Sequence, residues 1–292
     1  KQIIVIAPLD QSPAQRAGVE AGDVILKVDG QDSSNWALPF AVDRIRGPKG
    51  TGVVLTILHK ASQKPQDIKI VRDTITVKSV SGWVKEAKDI EGINIAKDKA
   101  GKIAYIRLSQ FGDSTNADWQ NIISKFDLQM QTDKTIKGLI IDLRNNPGGY
   151  LSDAVFIASE FLKQGTPVVS EENGQGVKKT TYVERRGLMY DIPVIVLINK
   201  GSASASEIVS GALRDNKRAD LVGETSFGKG TIQQAQDLGN GAGIHITIAK
   251  WLTPNGTWVN GKGLTPDTQV QLDEKDPTRD TQLEKAVLEL VK

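Results

Sequence analysis

A chain of 292 residues is long for one average domain and short for three, so two domains, one of them large, are expected. With 39% hydrophobic and 25% charged residues and no apolar run near bilayer thickness, the composition excludes a disordered chain and membrane-spanning helices. A net charge of +2 without blocks of like charge names no nucleic-acid or lipid partner, and the lack of cysteine removes disulfides, thiol nucleophiles and cysteine-ligated metals.

The chain opens at Lys1-Gln-Ile-Ile-Val-Ile without the charged start and apolar core of a signal peptide, as a mature form or fragment would. Residues 2 to 7 read as a strand. In Ser12-Pro-Ala-Gln-Arg-Ala-Gly18, Pro13 suits the first turn of a short helix, while Gly18 and Gly22 permit tight turns and Asp29-Gly30 makes a hairpin turn. A short helix, a turn and a strand at 53 to 58 follow. This succession resembles a bacterial PDZ domain, which implies capture of an extended peptide by strand addition. The glycine-rich loop that cradles the peptide carboxylate in such domains precedes the first strand seen here. A PDZ domain assigned to residues 1–73 would therefore lack its own first strand and carboxylate-binding loop.

Residues 62 to 68 read as a polar hairpin loop, and 69 to 102 as short strands with charged turns that carry no chemistry. From Ile103 the pattern alternates strand and helix: a strand at 103 to 108, Trp119, Ile122, Ile123 and Phe126 at helical spacing, a buried strand at 139 to 143, and a helix over 151 to 163. Then come a strand at 194 to 198, a helix after Ser204 and a strand around Leu221. Such alternation implies a largely parallel sheet, here in a domain over residues 74–292. The two histidines, His59 and His245, fall in strand-like stretches, so neither a histidine zinc site nor a catalytic histidine is expected. The five tryptophans read as packing residues.

Chemistry concentrates in two segments. Ile198-Asn-Lys-Gly-Ser-Ala-Ser-Ala-Ser-Glu-Ile208 runs from a buried strand into a helix with the apolar stripe Ala205, Ile208, Val209, Ala212 and Leu213. A serine at that junction lies beside free N–H groups at the positive end of the helix dipole, where a nucleophile and a developing oxyanion are well placed. Ser204-Ala-Ser-Glu207 also fits a capping box, in which the serine only satisfies the first turn.

The second segment is Gly223-Glu-Thr-Ser-Phe-Gly-Lys-Gly-Thr-Ile-Gln233. Its likeness to a phosphate-binding P-loop fails, because Gly230 stands where the magnesium-binding hydroxyl belongs and a strand follows. Ser226-Phe-Gly-Lys229 mimics an S-x-x-K pair, but the flanking glycines oppose the helical turn such a pair needs. Ser204 and Lys229 can instead converge at one edge of the sheet.

Both segments resemble the signature of the carboxyl-terminal processing, or tail-specific, proteases. Ser109-Gln-Phe111, Leu143-Arg-Asn-Asn-Pro-Gly-Gly149, Leu252-Thr-Pro-Asn-Gly256 and Gly263-Leu-Thr-Pro-Asp267 fit the same family in the same order. The resemblance implies an α/β core of the crotonase/ClpP-like kind with an appended, truncated PDZ domain, and a serine endopeptidase that needs no metal or cofactor. It implies Ser204 as nucleophile, 25 residues before Lys229 as general base, with Gln233 orienting the lysine. Lys229 must be uncharged to accept the serine proton, which calls for a closed apolar site that Phe227 and its flanking glycines could help build. Ala205, Gly148 and Gly149 are the candidate oxyanion donors, the glycines because no side chain blocks close approach. Arg44 and Arg46, on Val42-Asp-Arg-Ile-Arg-Gly47, are candidates for reporting peptide occupancy to the catalytic domain, against a reading as solvated surface charge.

The implied substrates are polypeptides with flexible, apolar C-terminal tails; the implied address is extracytoplasmic, on the periplasmic or cell-envelope side. Nucleic acid is not an expected partner, a homodimer is an assembly the family allows, and any membrane anchor lies outside this chain. Two other readings stand beside this one: a non-catalytic PDZ scaffold with Ser204 as a helix cap, and a crotonase-fold thioester enzyme.

Overall fold

A computed structural model describes the chain apart from residues 1, 6, 7, 9–11, 20–22, 60, 61, 63, 75–78, 97–99, 240, 241, 274, 275 and 277 and the side chains of 235, 237, 238, 242 and 245. The chain forms two compact units, residues 1–77 and 78–292.

The first unit comprises β1 (Ile3–Ile4), α1 (Pro13–Arg16), β2 (Val24–Val28), β3 (Gln31–Asp32), α2 (Leu38–Ile45), β4 (Gly52–Leu58) and β5 (Gln66–Val71). The strands pair antiparallel in the order β1-β2-β4-β5, with β3 folded onto β2. Strict alternation in β4 turns Val53, Leu55 and Ile57 inward, where they meet Ile25, Val28, Ile68, Ile70 and Ala41 of α2. Asp29 and Gly30 both take positive φ, at 48° and 79°, as a tight two-residue hairpin requires. The loop expected at 62–68 gives way at Gln66 to β5, because Ile68 and Ile70 supply the two-residue period that the polar stretch before them lacks. Of the strand expected at 2–7 only β1 is formed among the described residues, and Gly22 lies outside them.

The second unit adds β6 (Val80–Glu86), β7 (Lys102–Leu108), α3 (Thr115–Thr132), β8 (Ile136–Asp142), α4 (Leu151–Ala158), β9 (Pro167–Asn173), β10 (Lys178–Tyr182), β11 (Val194–Ile198), α5 (Ala205–Asp215), β12 (Asp220–Gly223), β13 (Thr231–Gly239), β14 (Ala242–Leu252), β15 (Thr268–Gln269) and α6 (Thr281–Leu290). One sheet runs β15-β12-β11-β8-β7-β6, parallel from β15 to β7, with β6 antiparallel at its edge. β11 and the Leu139–Ile141 stretch of β8 read as unbroken apolar runs because both of their faces are covered. Leu139, Ile141, Val196 and Ile198 pack in a core with Trp119 of α3, Ile157 of α4 and Val209 of α5. Ile140, Ile195 and Leu197, on alternate positions, pack with Leu283 and Val287 of α6.

A second, wholly antiparallel sheet, β10-β9-β14-β13, is absent from the sequence expectations. β10 and β13 mix lysine, threonine and glutamine with few aliphatics and show no period, and although Ile244, Ile246 and Ile248 of β14 alternate, nothing local names the strands they pair with. α4 stops at Ala158, five residues before the expected end.

Because β8, β11 and β12 run parallel, their carboxyl ends share one edge of the sheet, where ligand sites of open α/β folds gather. The loops 143–149, 199–204 and 224–230 leave that edge together, and they carry the residues singled out above.

Candidate active site

The loop after β11 and the first turn of α5 contain three serines with different fates. Ser202 is fully buried; its hydroxyl donates to Leu143 O at 2.8 Å and accepts the Asn199 N–H at 2.9 Å. Ser206 is equally buried and donates to Asn146 O at 2.9 Å. Both hydroxyls thus stitch this loop to the neighbouring one. Ser204 is half-buried. Its backbone lies at φ 56°, ψ −114°, which an L-residue adopts only under restraint, whereas a plain helix cap sits in the extended region. The strain lies at the strand-to-helix turn, as it does in nucleophile elbows.

Ser204 and Glu207 occupy the two positions of a capping box, and the Ser204 N–H donates to Glu207 Oε2 at 2.9 Å. Glu207 does more than close that turn. The same Oε2 accepts the Lys229 N–H at 2.9 Å, while Oε1 accepts the Gly228 N–H at 2.7 Å and the Ser226 hydroxyl at 2.6 Å. The main chains of Ser204 and Lys229 therefore converge on one oxygen atom. The sequence offered Glu207 only as the third helical residue of a cap; no local pattern announces bonds made 19 to 22 residues away.

Lys229 is half-buried, and its loop is fixed from both sides. Trp251 Nε1 donates to Lys229 O and Trp258 Nε1 to Gly230 O, each at 2.9 Å, so these two tryptophans hold the loop as well as pack beside it. Gly228, at φ 86°, brings its main chain against the backbone nitrogens of residues 261 to 263. Phe227 is 64% exposed, which corrects the expectation that it closes over Lys229. The inner side of this loop is taken by buried Ser226 and Gly228, and chain alternation leaves Phe227 outside.

Gln233 is exposed on β13, and no hydrogen bond among the described residues joins it to Lys229. A four-residue separation brings side chains together on a helix, but in an extended strand it spans about 13 Å. The chain enters β13 directly after Gly230, so the orienting contact needs a bend there.

The Gly148–Gly149 turn lies against Ser204. A Cβ on Gly148 would stand 2.8 Å from both Ala205 N and Ser204 Cβ. The Gly148 N–H itself donates to Asn146 Oδ1 at 2.9 Å, so of the three oxyanion candidates this one is occupied. Asn146 is held in turn, donating from Nδ2 to Leu108 O and accepting the Ala203 N–H at its carbonyl. Ala205, as the first helical residue, and Gly149 are the remaining candidates.

Beneath the 143–149 loop runs a buried ionic network. Arg144 Nη2 reaches Asp142 Oδ2 at 2.6 Å and Asp280 Oδ2 at 2.8 Å, and Asp142 also accepts from Arg107 and the Tyr105 hydroxyl. Burial pushes the Asp142 carboxyl up, but the two guanidiniums and the phenol outweigh it and hold the group below the ordinary carboxylate range. Burial beside this carboxylate pushes the Tyr105 hydroxyl up. The network ties Arg144 to Asp280, the N-cap of α6. In the first turn of α4, burial raises the Asp153 carboxyl above the usual range, despite hydrogen bonds from Asn116 and Ser152 and assisted by Asp113.

Arg44 and Arg46 are exposed in the first unit; Arg44 lies over the Phe40 ring at 5.2 Å. It is Arg72, which the sequence did not single out, that holds the end of α2, donating to Arg44 O and Ile45 O. His59 Nδ1 pairs with buried Asp23 at 2.9 Å, and the His245 side chain lies outside the described residues.

The pattern that defines peptidase family S41 matches residues 102–270, which include all three loops of this edge. The chain belongs to peptidase family S41. The PDZ domain pattern matches residues 1–58. Among relatives of this S41 chain, a carboxy-terminal-processing protease of Bartonella bacilliformis is 43% identical over 92% of the chain and 58% of its own length. The carboxy-terminal processing protease CtpB of Bacillus subtilis is 36% identical over 92% of the chain and 53% of its own length. The chain thus spans between half and three fifths of the length of these relatives. A solved photosystem II D1 C-terminal processing protease superposes over 100% of the chain and 73% of its own, at 30% identity and a TM-score of 0.65.

Proposed function

We propose that this S41 chain is a serine endopeptidase of the carboxyl-terminal processing type, acting through Ser204 and Lys229. The observation that carries the reading is the shared Glu207 Oε2, which brings the peptide N–H of a strained serine and that of a lysine to one point. Of the three clustered serines, Ser204 is also the one whose hydroxyl is not spent on tying loop to loop.

In this mechanism Ser204 Oγ attacks the scissile carbonyl while uncharged Lys229 Nζ takes its proton. The oxyanion faces the N–H groups of Ala205 and Gly149, with Gly148 giving the clearance for close approach. Collapse hands the proton from Nζ to the leaving amine. Water, deprotonated by Lys229, then releases the acyl-enzyme. Gln233 orients the lysine amine once β13 bends at Gly230. Substrates are polypeptides with flexible, apolar C-terminal tails, met on the extracytoplasmic side. No described helix is long and apolar enough to cross a membrane.

The test is hydrolysis of an unfolded protein bearing an apolar C-terminal tail. The parent chain cleaves it, and Ser204→Ala and Lys229→Ala each abolish cleavage while remaining folded. Cleavage that survives Lys229→Ala overturns the mechanism, and a folded but inert parent favours the PDZ scaffold. We propose further that Arg44 and Arg46 report peptide occupancy; in the same assay a folded Arg46→Ala loses stimulation by tail peptide, and an unchanged response removes that role.

A further inference from the structure

Glu207 is fully buried, yet no ion pair among the described residues includes it. Its charge is met instead by four neutral donors: the N–H groups of Ser204, Gly228 and Lys229 and the hydroxyl of Ser226. A buried carboxylate without a cation is a costly element to keep. Closing a capping box needs only the N–H of the cap residue. The other three donors come from the loop after β12, and nothing about capping asks for them.

From this arrangement we infer that Glu207 is a positioning residue that sets the separation of nucleophile and base. The inference rests on the Ser204–Lys229 reading and deepens it. Oε2 is shared by the amides of the two reacting residues, so a shift of either loop strains a bond to the other. Oε1 holds Gly228 and Ser226, and Ser226 Oγ accepts the Leu264 N–H at 2.7 Å, which extends the restraint to the turn that packs on Gly228. The Ser204 N–H is anchored on Glu207 Oε2, which helps maintain the strained φ of 56°. Carboxylate acceptors give stronger bonds than neutral ones, and both oxygens are filled twice. An amide in the same place has one acceptor oxygen and sets its own N–H groups against two donors.

The experiment compares parent, Glu207→Gln and Ser226→Ala in the whole chain, well below their unfolding temperatures. Three quantities are read: kcat and KM on a peptide substrate, the count of serines titratable by a fluorophosphonate, and the labelling rate per titrated site. A role in stability alone lowers the count. A positioning role lowers kcat and the labelling rate per site while KM stays within about threefold. The expected loss is about 100-fold for Glu207→Gln, which removes at least two charge-assisted bonds. For Ser226→Ala, which removes one, it is about tenfold. The double variant falls no further than Glu207→Gln alone, since both act through one group. Full kcat and labelling rate per site in Glu207→Gln overturn the inference. Should Glu207→Gln not fold, unchanged values in Ser226→Ala overturn it equally. An active parent with an indifferent Glu207→Gln sinks this inference alone, whereas a folded parent that neither cleaves nor labels sinks the Ser204–Lys229 reading and this inference with it.

Discussion

Gly148→Ala separates the geometry of this site from its stability. The added Cβ would stand 2.6 Å from Ala203 O and 2.8 Å from both Ala205 N and Ser204 Cβ. Ordinary carbon contacts are about 3.5 Å, so the loops must part by about 0.8 Å, and two of the three obstacles are backbone with no rotamer to yield. Gly148 also sits at φ 94°, where alanine costs about 1 to 2 kcal/mol. That part alone lowers Tm by roughly 2 to 8 °C in a domain of this size. The displacement falls directly on the Ser204–Ala205 peptide, and a shift near 1 Å between reacting groups costs about 10²-fold in rate. Gly165→Ala is the control: its φ is 84°, with nothing within 4 Å of the added carbon. Both variants should lose the Tm due to positive φ by scanning calorimetry, Gly148→Ala more because of the clash, while cleavage of an unfolded substrate at temperatures well below either Tm falls about a hundredfold in Gly148→Ala and by less than twofold in Gly165→Ala. Equal activity in the two variants would refute the proposal that the glycine turn sets the position of Ser204 for catalysis.

Two further perturbations follow from the buried acids. Asp153→Asn should raise Tm at pH 7 by about 2 to 4 °C, because Asp153 Oδ2 and Asn116 Oδ1 are buried acceptors without donors and an amide supplies one. Burial has raised the Asp153 carboxyl, so its ionised form weakens the fold above the raised value; the advantage of asparagine should shrink as pH falls, and a pH-independent gain would contradict the cause. Asp142 works in the opposite sense. Its folded carboxyl lies below the ordinary aspartate value of about 3.9, so between the two values the unfolded chain binds more protons and stability rises with pH. The parent's urea midpoint should therefore fall once pH drops below about 4. Asp142→Ala leaves Arg144 and Arg107 facing a gap, costs about 3 to 5 kcal/mol at pH 7 and flattens that acid limb. An unaltered acid limb would show that other carboxylates govern it.

What could be read in advance divides by the range of the interaction. β8 and β11 announced themselves because a strand buried on both faces must be continuously apolar, and α5 because its stripe keeps helical period. Parallel strands bring their carboxyl ends to one edge, so the meeting of the 143–149, 199–204 and 224–230 loops followed from fold class alone. Single strands after Gly230 and around His245 were legible, but their assembly into an antiparallel sheet stayed hidden because β13 and β14 owe their pairing to each other and to β9, which no local period announces. The same distinction holds within the site. Ser204 and Lys229 were legible as residue types in place, whereas Trp251, Trp258 and Glu207 act through bonds to backbone groups far along the chain, and a backbone N–H or C=O leaves no mark on a sequence. Gln233 is the converse case: a spacing of four was legible, but strand geometry after Gly230 sets the side chain apart from the lysine. The proposed Ser204–Lys229 pair is therefore fixed less by its own side chains than by the main chain beneath them, and on that proposal changes that leave Ser204 and Lys229 intact but disturb that main chain should abolish activity almost as well as removing them.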